Sequence, residues 1–342
     1  MKKIKKILIA RTDRLGDVLL SLHAVVSVRE AFPEAEIDFL VRPELEAVLS
    51  AFLASQRIRS VGWKPGQAVE RYDAALCLFD EPNLLSAIKR AGTPWRVGNY
   101  SKLRSFLKLT HGVRQRRALG KKNEGEYNLD LAAFFRKVLG IKSAYFPNPL
   151  SLPPNASAAA EARAAMQRVG GDLGSTYWMA HPGMGGSALN LGVEAYVRLL
   201  DEIEKKFDGP LYLSLGPAPR DLEMVEALVD LRPHWRVFPQ VSLAALAEVY
   251  RPARLVVAPS TGPLHLAHYV GAPTLGIFSP VRSHQPRRWG AWGGRGKSFL
   301  YTPEHPCPGK RDCLGARCVY YFCLDRMPLP ASSLERLEHA TR

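Results

Sequence analysis

The chain has 342 residues, of which 46% are hydrophobic and 23% are charged, and its formal net charge is +15. This length suits two domains of ordinary size, and the balance of apolar and charged residues excludes an intrinsically disordered chain. No apolar run reaches the roughly 18–20 residues of a membrane-spanning helix, which disfavours an integral membrane protein of that class.

Short apolar runs alternate with longer helical patterns along the first half of the chain. The predicted strands cover residues 6–10, 36–41 and 73–79, and the predicted helices cover residues 17–32 and 45–55. This βαβ alternation predicts a parallel sheet with helices on its faces. The N-terminal apolar stretch covers only residues 7–10 and no small-residue cleavage site follows it, so we expect a first strand and a cytoplasmic protein.

Residues 101–122 form the most basic segment, with eight Lys and Arg residues and no acidic residue. Residues 1–150 as a whole hold 26 of the 47 basic residues but only 15 of the 32 acidic ones. A solvated basic face, a nucleic-acid groove and a contact with an anionic membrane surface are the three interpretations. Phe106 is the one aromatic residue of the segment, which disfavours single-stranded nucleic acid. We expect a peripheral membrane contact and no nucleic-acid partner.

A proline-rich, aperiodic stretch at residues 144–156 is the predicted linker between two domains, residues 1–150 and residues 151–342. Beyond it the alternation starts again. Strands are predicted at residues 176–183, 211–217, 253–260 and 273–280, and a helix at residues 193–207. The expected fold class is therefore α/β, with two doubly wound domains facing each other across a cleft.

Ligands of open α/β sheets bind beyond the carboxyl ends of the strands, so the loops at those ends are the places to look for a site. Four loops stand out, at residues 11–17, 181–190, 216–221 and 259–267. The first places two arginines and two aspartates at a strand-to-helix junction. Asp17 of this loop is either a first-turn or capping acid of the following helix or a carboxylate with a chemical role.

The loop at residues 259–267 places Ser260, Thr261 and Gly262 between a strand and a helix, with Pro263 suited to the first helical position. Backbone N–H groups at such a helix start bind anions, although a plain capped helix start fits the same pattern. The chain has neither a G-x-G-x-x-G fingerprint after its first strand nor a Walker A pattern. Dinucleotide-dependent dehydrogenases and P-loop NTPases are therefore disfavoured.

Three stretches together resemble glycosyltransferase family 9, the ADP-heptose:lipopolysaccharide heptosyltransferases. They are ILIARTDRLGDVLLSLHAV near the start, HPGMGGS in the middle and PSTGPLHLAHYVGAPTLGIFSP near the end. The resemblance implies a GT-B fold of two Rossmann-like domains, in which the N-terminal domain binds the acceptor and the C-terminal domain binds the nucleotide sugar. It also implies a metal-independent, inverting transferase without a cofactor. Such enzymes extend the inner core of lipopolysaccharide at the cytoplasmic membrane face.

On the acceptor side, the resemblance assigns the role of catalytic base to Asp17, in the matching Gly-Asp pair, with Asp13 as the competing candidate. Gly16 permits close approach of the acceptor. Arg11 and Arg14 either hold its phosphate or carboxylate groups or lie solvated. An inverting transfer needs one carboxylate to take the proton of the attacking hydroxyl, which fits an aspartate at a strand end.

On the donor side, the resemblance points to ADP-heptose and a phosphorylated lipid-linked saccharide as donor and acceptor. The matching donor-site residues are Gly183, Gly185, Gly186, Ser187, Asp221, Ser260, Thr261, Gly262 and His265. The glycine loop is expected under the phosphates, and Asp221 is one of the nearest acids for the ribose hydroxyls. His265 is either a ligand contact or a structural helix residue.

Three departures from the family pattern bear on the donor. Leu189, Leu191 and Gly192 stand where many members carry a cation followed by a Trp-Pro pair, and Ser260 replaces an aspartate. The loop at residues 216–221 lacks the usual glutamate, and the nearest acids are Asp221 and Glu223, slightly later in the chain. These changes leave the sugar and the nucleotide open. A transferase with another nucleotide sugar and a noncatalytic nucleotide- or saccharide-binding protein of the same fold are the alternative hypotheses.

Four of the five cysteines cluster near the C-terminus, with the spacing C-x5-C-x4-C-x4-C from Cys307 through Cys313 and Cys318 to Cys323. This spacing differs from the paired C-x2-C of common zinc modules. Reduced loop cysteines are the favoured interpretation, with a structural metal and reversible disulfides as alternatives. Cys77 is expected in a buried strand.

Overall fold

The computed structural model describes residues 4–100, 102–185, 189–309, 312–320, 322–327 and 335. The chain divides into two compact units. Unit 1 comprises residues 1–117 and 122–153, and unit 2 comprises residues 118–121 and 154–342. Among the described residues, no helix is both long enough and apolar enough to cross a membrane.

Unit 1 contains a six-stranded sheet in the order β3-β2-β1-β4-β5-β6, and every neighbouring pair of strands is parallel. Its strands are β1 (Lys6–Ala10), β2 (Glu36–Val41), β3 (Arg59–Gly62), β4 (Ala74–Cys77), β5 (Trp95–Asn99) and β6 (His111–Val113). Its helices are α1 (Leu15–Leu19), α2 (Leu22–Ala31), α3 (Glu46–Ser55), α4 (Pro82–Arg90), α5 (Leu103–Phe106) and α6 (Glu124–Val138). Residues 7–10 of the central strand β1 are apolar and buried, as expected for an inner strand of a parallel sheet with helices on both faces.

Unit 2 repeats this plan, with the strand order β12-β11-β10-β7-β8-β9 and parallel neighbours throughout. Its strands are β7 (Trp178–Ala180), β8 (Leu211–Ser214), β9 (Arg236–Phe238), β10 (Val256–Pro259), β11 (Thr274–Ile277) and β12 (Ser298–Tyr301). Its helices are α7 (Ala156–Arg168), α8 (Val193–Glu204), α9 (Pro219–Leu231), α10 (Leu243–Tyr250), α11 (Gly262–Val270) and α12 (Pro286–Trp289). The predicted class, two doubly wound α/β sheets, is confirmed.

The single helix predicted at residues 17–32 is wrong, because the structure divides this stretch into α1 and α2. The Ser21 hydroxyl donates to the carbonyl oxygen of Val18 at 2.7 Å, which competes with the helical hydrogen-bond ladder. The carbonyl oxygen of Leu20, beside the break, accepts a hydrogen bond from Nδ2 of Asn128 on α6 at 3.3 Å. The break therefore exposes a backbone acceptor to a side chain of another helix.

Candidate active site

The loop between β1 and α1 places Asp17 in the first turn of a helix at the carboxyl edge of the unit 1 sheet. Arg14 is the N-cap residue of α1 and makes no side-chain cap hydrogen bond, so Asp17 is a first-turn acid rather than the cap. A carboxylate in this position is favoured by the positive end of the helix. The Asp17 side chain is 18% exposed. Arg14 is exposed, whereas Gly16 is buried.

Arg11 points inward and holds both aspartates of the loop. Its Nε donates to Oδ1 of Asp13 at 2.8 Å, and its Nη2 donates to Oδ1 of Asp17 at 2.6 Å. Nη1 donates to the carbonyl oxygen of Leu78 at 3.1 Å and to Oδ1 of Asn128 at 3.0 Å. Because Arg11 is only 2% exposed, it does not lie solvated, which excludes one of its two predicted roles.

These contacts shift the protonation equilibria of the loop. Burial alone would lower the pKa of Arg11, but the negative charges of Asp13, Asp17 and Glu124 outweigh it and raise that pKa above its ordinary value. Burial raises the pKa of Asp13 to about 7, and the charge of Asp17 adds to this effect against the opposing charge of Arg11. Asp13 therefore titrates near neutral pH.

Helix α6 and the chain just before it supply three further members of this network, which the sequence analysis missed. Oε1 of Glu124 lies 3.6 Å from Nη2 of Arg11, and Glu124 also forms an ion pair with Arg117. Nη1 of Arg117 donates to Oδ1 of Asn128 at 3.1 Å. A signal was present, since Asn123 caps α6 in a capping box that starts the helix at Glu124. We call Arg11, Asp13, Asp17, Arg117, Glu124 and Asn128 the Arg11 cluster.

In unit 2, the loop after β7 is held by a buried carboxylate. Oδ1 of Asp221 accepts hydrogen bonds from the backbone N–H groups of Met184 at 3.0 Å and of Gly185 at 3.3 Å. A Cβ atom at Gly183 would lie 2.8 Å from Cγ of Asp221, so only glycine fits at this approach. Gly185 has a φ of +52°, in the left-handed region that favours glycine.

Asp221 is itself 2% exposed, so its carboxylate orders the glycine loop. Its contact with the ribose of a donor stays a prediction. Gly186 and Ser187, which were also assigned to the donor, lie outside the described residues. His181, at the end of β7, was missed as a structural partner: its Nδ1 lies 3.0 Å from Oγ of Ser214, and burial lowers its pKa to about 4.

The second predicted donor loop lies between β10 and α11. The N–H of Ser260 donates to the carbonyl oxygen of Ile277 at 3.0 Å, which continues the pairing of the sheet. Thr261 is the N-cap residue, and its hydroxyl donates to the carbonyl oxygen of Pro259 at 3.1 Å rather than capping the helix. Gly262 is the first helical residue, so Pro263 occupies the second position and not the predicted first.

His265, one turn into α11, is 2% exposed. Burial lowers its pKa to about 3, and His268 adds to this effect, so the imidazole is neutral. A neutral ring offers a ligand one donor and one acceptor but no positive charge. The predicted contact of His265 with a donor therefore stays a prediction limited to hydrogen bonding.

The sequence profile described as glycosyltransferase family 9 (heptosyltransferase) matches residues 82–316. A Haemophilus influenzae protein named "Putative glycosyltransferase" is 28% identical over 315 residues, which cover 88% of this chain and 90% of that protein. The profile match includes the glycine loop and the start of α11 but not Asp17.

Two solved structures share the fold. The Escherichia coli heptosyltransferase WaaC with ADP has a TM-score of 0.66 and 18% identity, and the match covers 98% of this chain and 100% of that one. The E. coli ADP-heptose lipopolysaccharide heptosyltransferase II has a TM-score of 0.72 and 16% identity, covering 99% of this chain and 98% of that one. The two parallel six-stranded sheets are those of the GT-B fold, and the chain belongs to glycosyltransferase family 9.

Proposed function

We propose that this chain is an inverting, metal-independent glycosyltransferase that moves heptose from ADP-heptose to a phosphorylated lipid-linked saccharide. Unit 1 binds the acceptor and unit 2 binds the nucleotide sugar. The observation that carries the proposal is the Asp17 carboxylate, which the guanidinium of the buried Arg11 holds in the first turn of α1. Family membership and two relatives named as heptosyltransferases support the choice of heptose.

In the proposed reaction, the acceptor hydroxyl attacks the anomeric carbon while the bond to the diphosphate oxygen breaks on the opposite face. Asp17 takes the hydroxyl proton as the new glycosidic bond forms. Arg11 fixes the carboxylate through a hydrogen bond of 2.6 Å between its Nη2 and Oδ1 of Asp17. Asp13 shares the same guanidinium and is the alternative base.

The diphosphate leaves with negative charge, which unit 2 is proposed to bind through backbone N–H groups. Gly185 and its neighbours present a loop held in shape by Asp221, and Gly262 begins α11, whose positive end favours an anion. A charged contact replaces the missing cation of the family pattern, and the exposed Arg220 and Arg282 are the candidates in unit 2.

The acceptor is proposed to be reached at the inner face of the cytoplasmic membrane. On the short helix α5, Leu103 is 78% exposed and Phe106 is 58% exposed, and the following Leu107 is 63% exposed. They lie in the segment 101–122, which carries eight basic residues and no acid. Apolar side chains flanked by basic ones bind anionic bilayers through burial and charge together.

A thermal-shift titration of the purified protein with ADP, UDP, GDP, CDP and NAD tests the donor. Ligand that binds the native state raises its stability by an amount set by concentration over affinity. The proposal expects stabilisation by ADP above the other four, followed by transfer from ADP-heptose to a heptose-deficient lipopolysaccharide with inversion at the anomeric carbon. Preference for another nucleotide refutes ADP-heptose as the donor. Nucleotide binding without transfer or donor hydrolysis favours the noncatalytic alternative.

A further inference from the structure

The four clustered cysteines lie in a long segment of unit 2 with little regular structure. Between the end of β12 at Tyr301 and Met327, the described residues form one three-residue 3-10 helix and no longer element. Segments of this length without secondary structure are uncommon in compact domains unless something holds them. The amino acid composition offers four thiols for that purpose.

The backbone around the cysteines already directs N–H groups at sulfur. Sγ of Cys307 accepts a hydrogen bond from the N–H of Gly309 at 3.3 Å, and Sγ of Cys313 accepts one from Gly315 at 3.3 Å. Sγ of Cys318 accepts one from the N–H of Tyr320 at 3.4 Å. In each case the donor lies two residues after the cysteine. An N–H···S bond of this kind stabilises the sulfur most when it carries the negative charge of a thiolate.

Both ends of the segment converge and are anchored on unit 2. The rings of His305 and Tyr320 stack with centroids 4.0 Å apart, which brings the chain before Cys307 beside the chain after Cys318. Cys323 packs against the hydrophobic core of unit 2. Cys307, Cys313 and Cys318 each interact electrostatically with Cys323, so the other three cysteines lie around it.

We propose that Cys307, Cys313, Cys318 and Cys323 form a structural tetrathiolate site for a transition-metal ion, zinc or iron. Tetrahedral sulfur sites are typical of both ions. The four thiols lose their protons to solvent on binding, which leaves a site with a charge of about −2 for a divalent ion. Residues 307–326 include four basic and two acidic residues, an excess that offsets this charge.

Among the described residues, no three His, Cys, Asp or Glu side chains are arranged to hold a metal ion as they stand. Binding of an ion therefore requires the four cysteine side chains to rearrange around it. All five cysteines are free of disulfide bonds, so no crosslink competes for these sulfurs.

The cysteine segment contacts the end of the glycine loop that follows β7 in unit 2. Two residues after Cys323, Oδ1 of Asp325 accepts a hydrogen bond from the N–H of Gly192 at 2.6 Å, and Gly192 is the N-cap residue of α8. Residues 183–192 thus end at a contact with the cysteine segment. The metal is structural and takes no part in the proposed transfer, so its presence is independent of the proposed function.

Elemental analysis of the full-length protein, expressed reduced in medium containing zinc and iron and desalted without chelator, tests the proposal. We expect about one metal ion per chain. The double variant Cys313→Ser with Cys318→Ser should lose it. The control Cys77→Ala should retain it, because Cys77 is a buried residue of β4 in unit 1.

A second measurement on the unmodified chain keeps the proposal testable if the double variant does not fold. Titration of the reduced, metal-free protein with Co²⁺ should produce sulfur-to-cobalt charge-transfer bands that saturate at one equivalent and that Zn²⁺ abolishes. Elemental analysis distinguishes zinc from iron. Three results would each overturn the site. The protein could lack both the metal and these bands, the double variant could contain as much metal as the parent, or intact mass could show disulfides in protein kept reduced.

Discussion

The assignment of the base is tested by a matched pair of substitutions, Asp17→Asn and Asp13→Asn. Both remove one carboxylate from the same guanidinium, at 2.6 Å from Nη2 and at 2.8 Å from Nε of Arg11. The two side chains are similarly exposed, at 18% and 13%. Any general loss of structure should therefore be alike in the two variants, whereas loss of the base should occur in one.

Asp17→Asn should lower kcat by about 10²- to 10⁴-fold, which corresponds to about 3–5 kcal/mol in the barrier. The amide introduced at position 17 still accepts a hydrogen bond from Arg11, so the unfolding free energy should fall by only about 1–2 kcal/mol, the difference between a charged and a neutral acceptor. Asp13→Asn should leave kcat within about tenfold of the parent at saturating substrate, because it spares the proton acceptor.

Release of the nucleoside diphosphate, followed continuously with saturating acceptor, gives kcat, and urea denaturation gives the unfolding free energy. ADP affinity should not change in either variant, because both positions lie in unit 1. Turnover by Asp17→Asn close to that of the parent would remove Asp17 as the base. A loss confined to Asp13→Asn would transfer the role to Asp13.

Three further predictions concern stability, the donor loop and the membrane. Burial raises the folded-state pKa of Asp13 to about 7. This is above its unfolded value, so the contribution of Asp13 to stability is complete below about pH 4 and is lost as the pH rises through 7. The unfolding free energy of the parent, measured by urea denaturation, should fall relative to that of Asp13→Asn by up to about 1.4 kcal/mol per pH unit over this range. Parallel plots of unfolding free energy against pH for the two proteins would contradict this prediction. Gly183→Ala places a Cβ 2.8 Å from Cγ of Asp221 and should weaken ADP binding by about tenfold or more while the protein stays folded. Calorimetry measures the affinity and circular dichroism the folded state. Unchanged affinity would show that the loop does not bind nucleotide. Replacing the exposed Leu103 and Phe106 by Ser should reduce sedimentation with vesicles rich in phosphatidylglycerol and leave ADP binding intact; equal sedimentation would exclude α5 from the membrane contact.

The sequence predicted seven of the eight inner strands of the two sheets and missed all four edge strands, together with the inner strand Trp95–Asn99. The edge strands were missed for a physical reason. Residues 7–10 form a buried apolar run, and residues 37–41 are buried and apolar apart from Asp38. The strands Arg59–Gly62, His111–Val113 and Arg236–Phe238 are three or four residues long and carry partly or fully exposed polar residues. Their pairing depends on the neighbouring strand rather than on their own pattern.

The position of the candidate site could be predicted, but its internal contacts could not. The Arg-Thr-Asp-Arg loop after β1 is visible in the sequence, and a carboxyl strand end is where a ligand binds. Nothing in that loop shows that Arg11 turns inward, since arginine is mostly exposed. Its partner Asn128 is 117 residues away in the chain, so only the docking of α6 brings the two together.

The Arg11 cluster places two aspartates on one buried guanidinium. With both aspartates ionised beside the buried guanidinium of Arg11, the loop would hold an uncompensated negative charge with little access to solvent, which is energetically costly. Because the pKa of Asp13 is raised to about 7, Asp13 is largely protonated below that pH, which reduces the negative charge beside Arg11. As the pH rises and Asp13 ionises, a second negative charge develops beside the guanidinium that Asp17 also contacts. Asp13 therefore sets the charge balance of the loop around the proposed base.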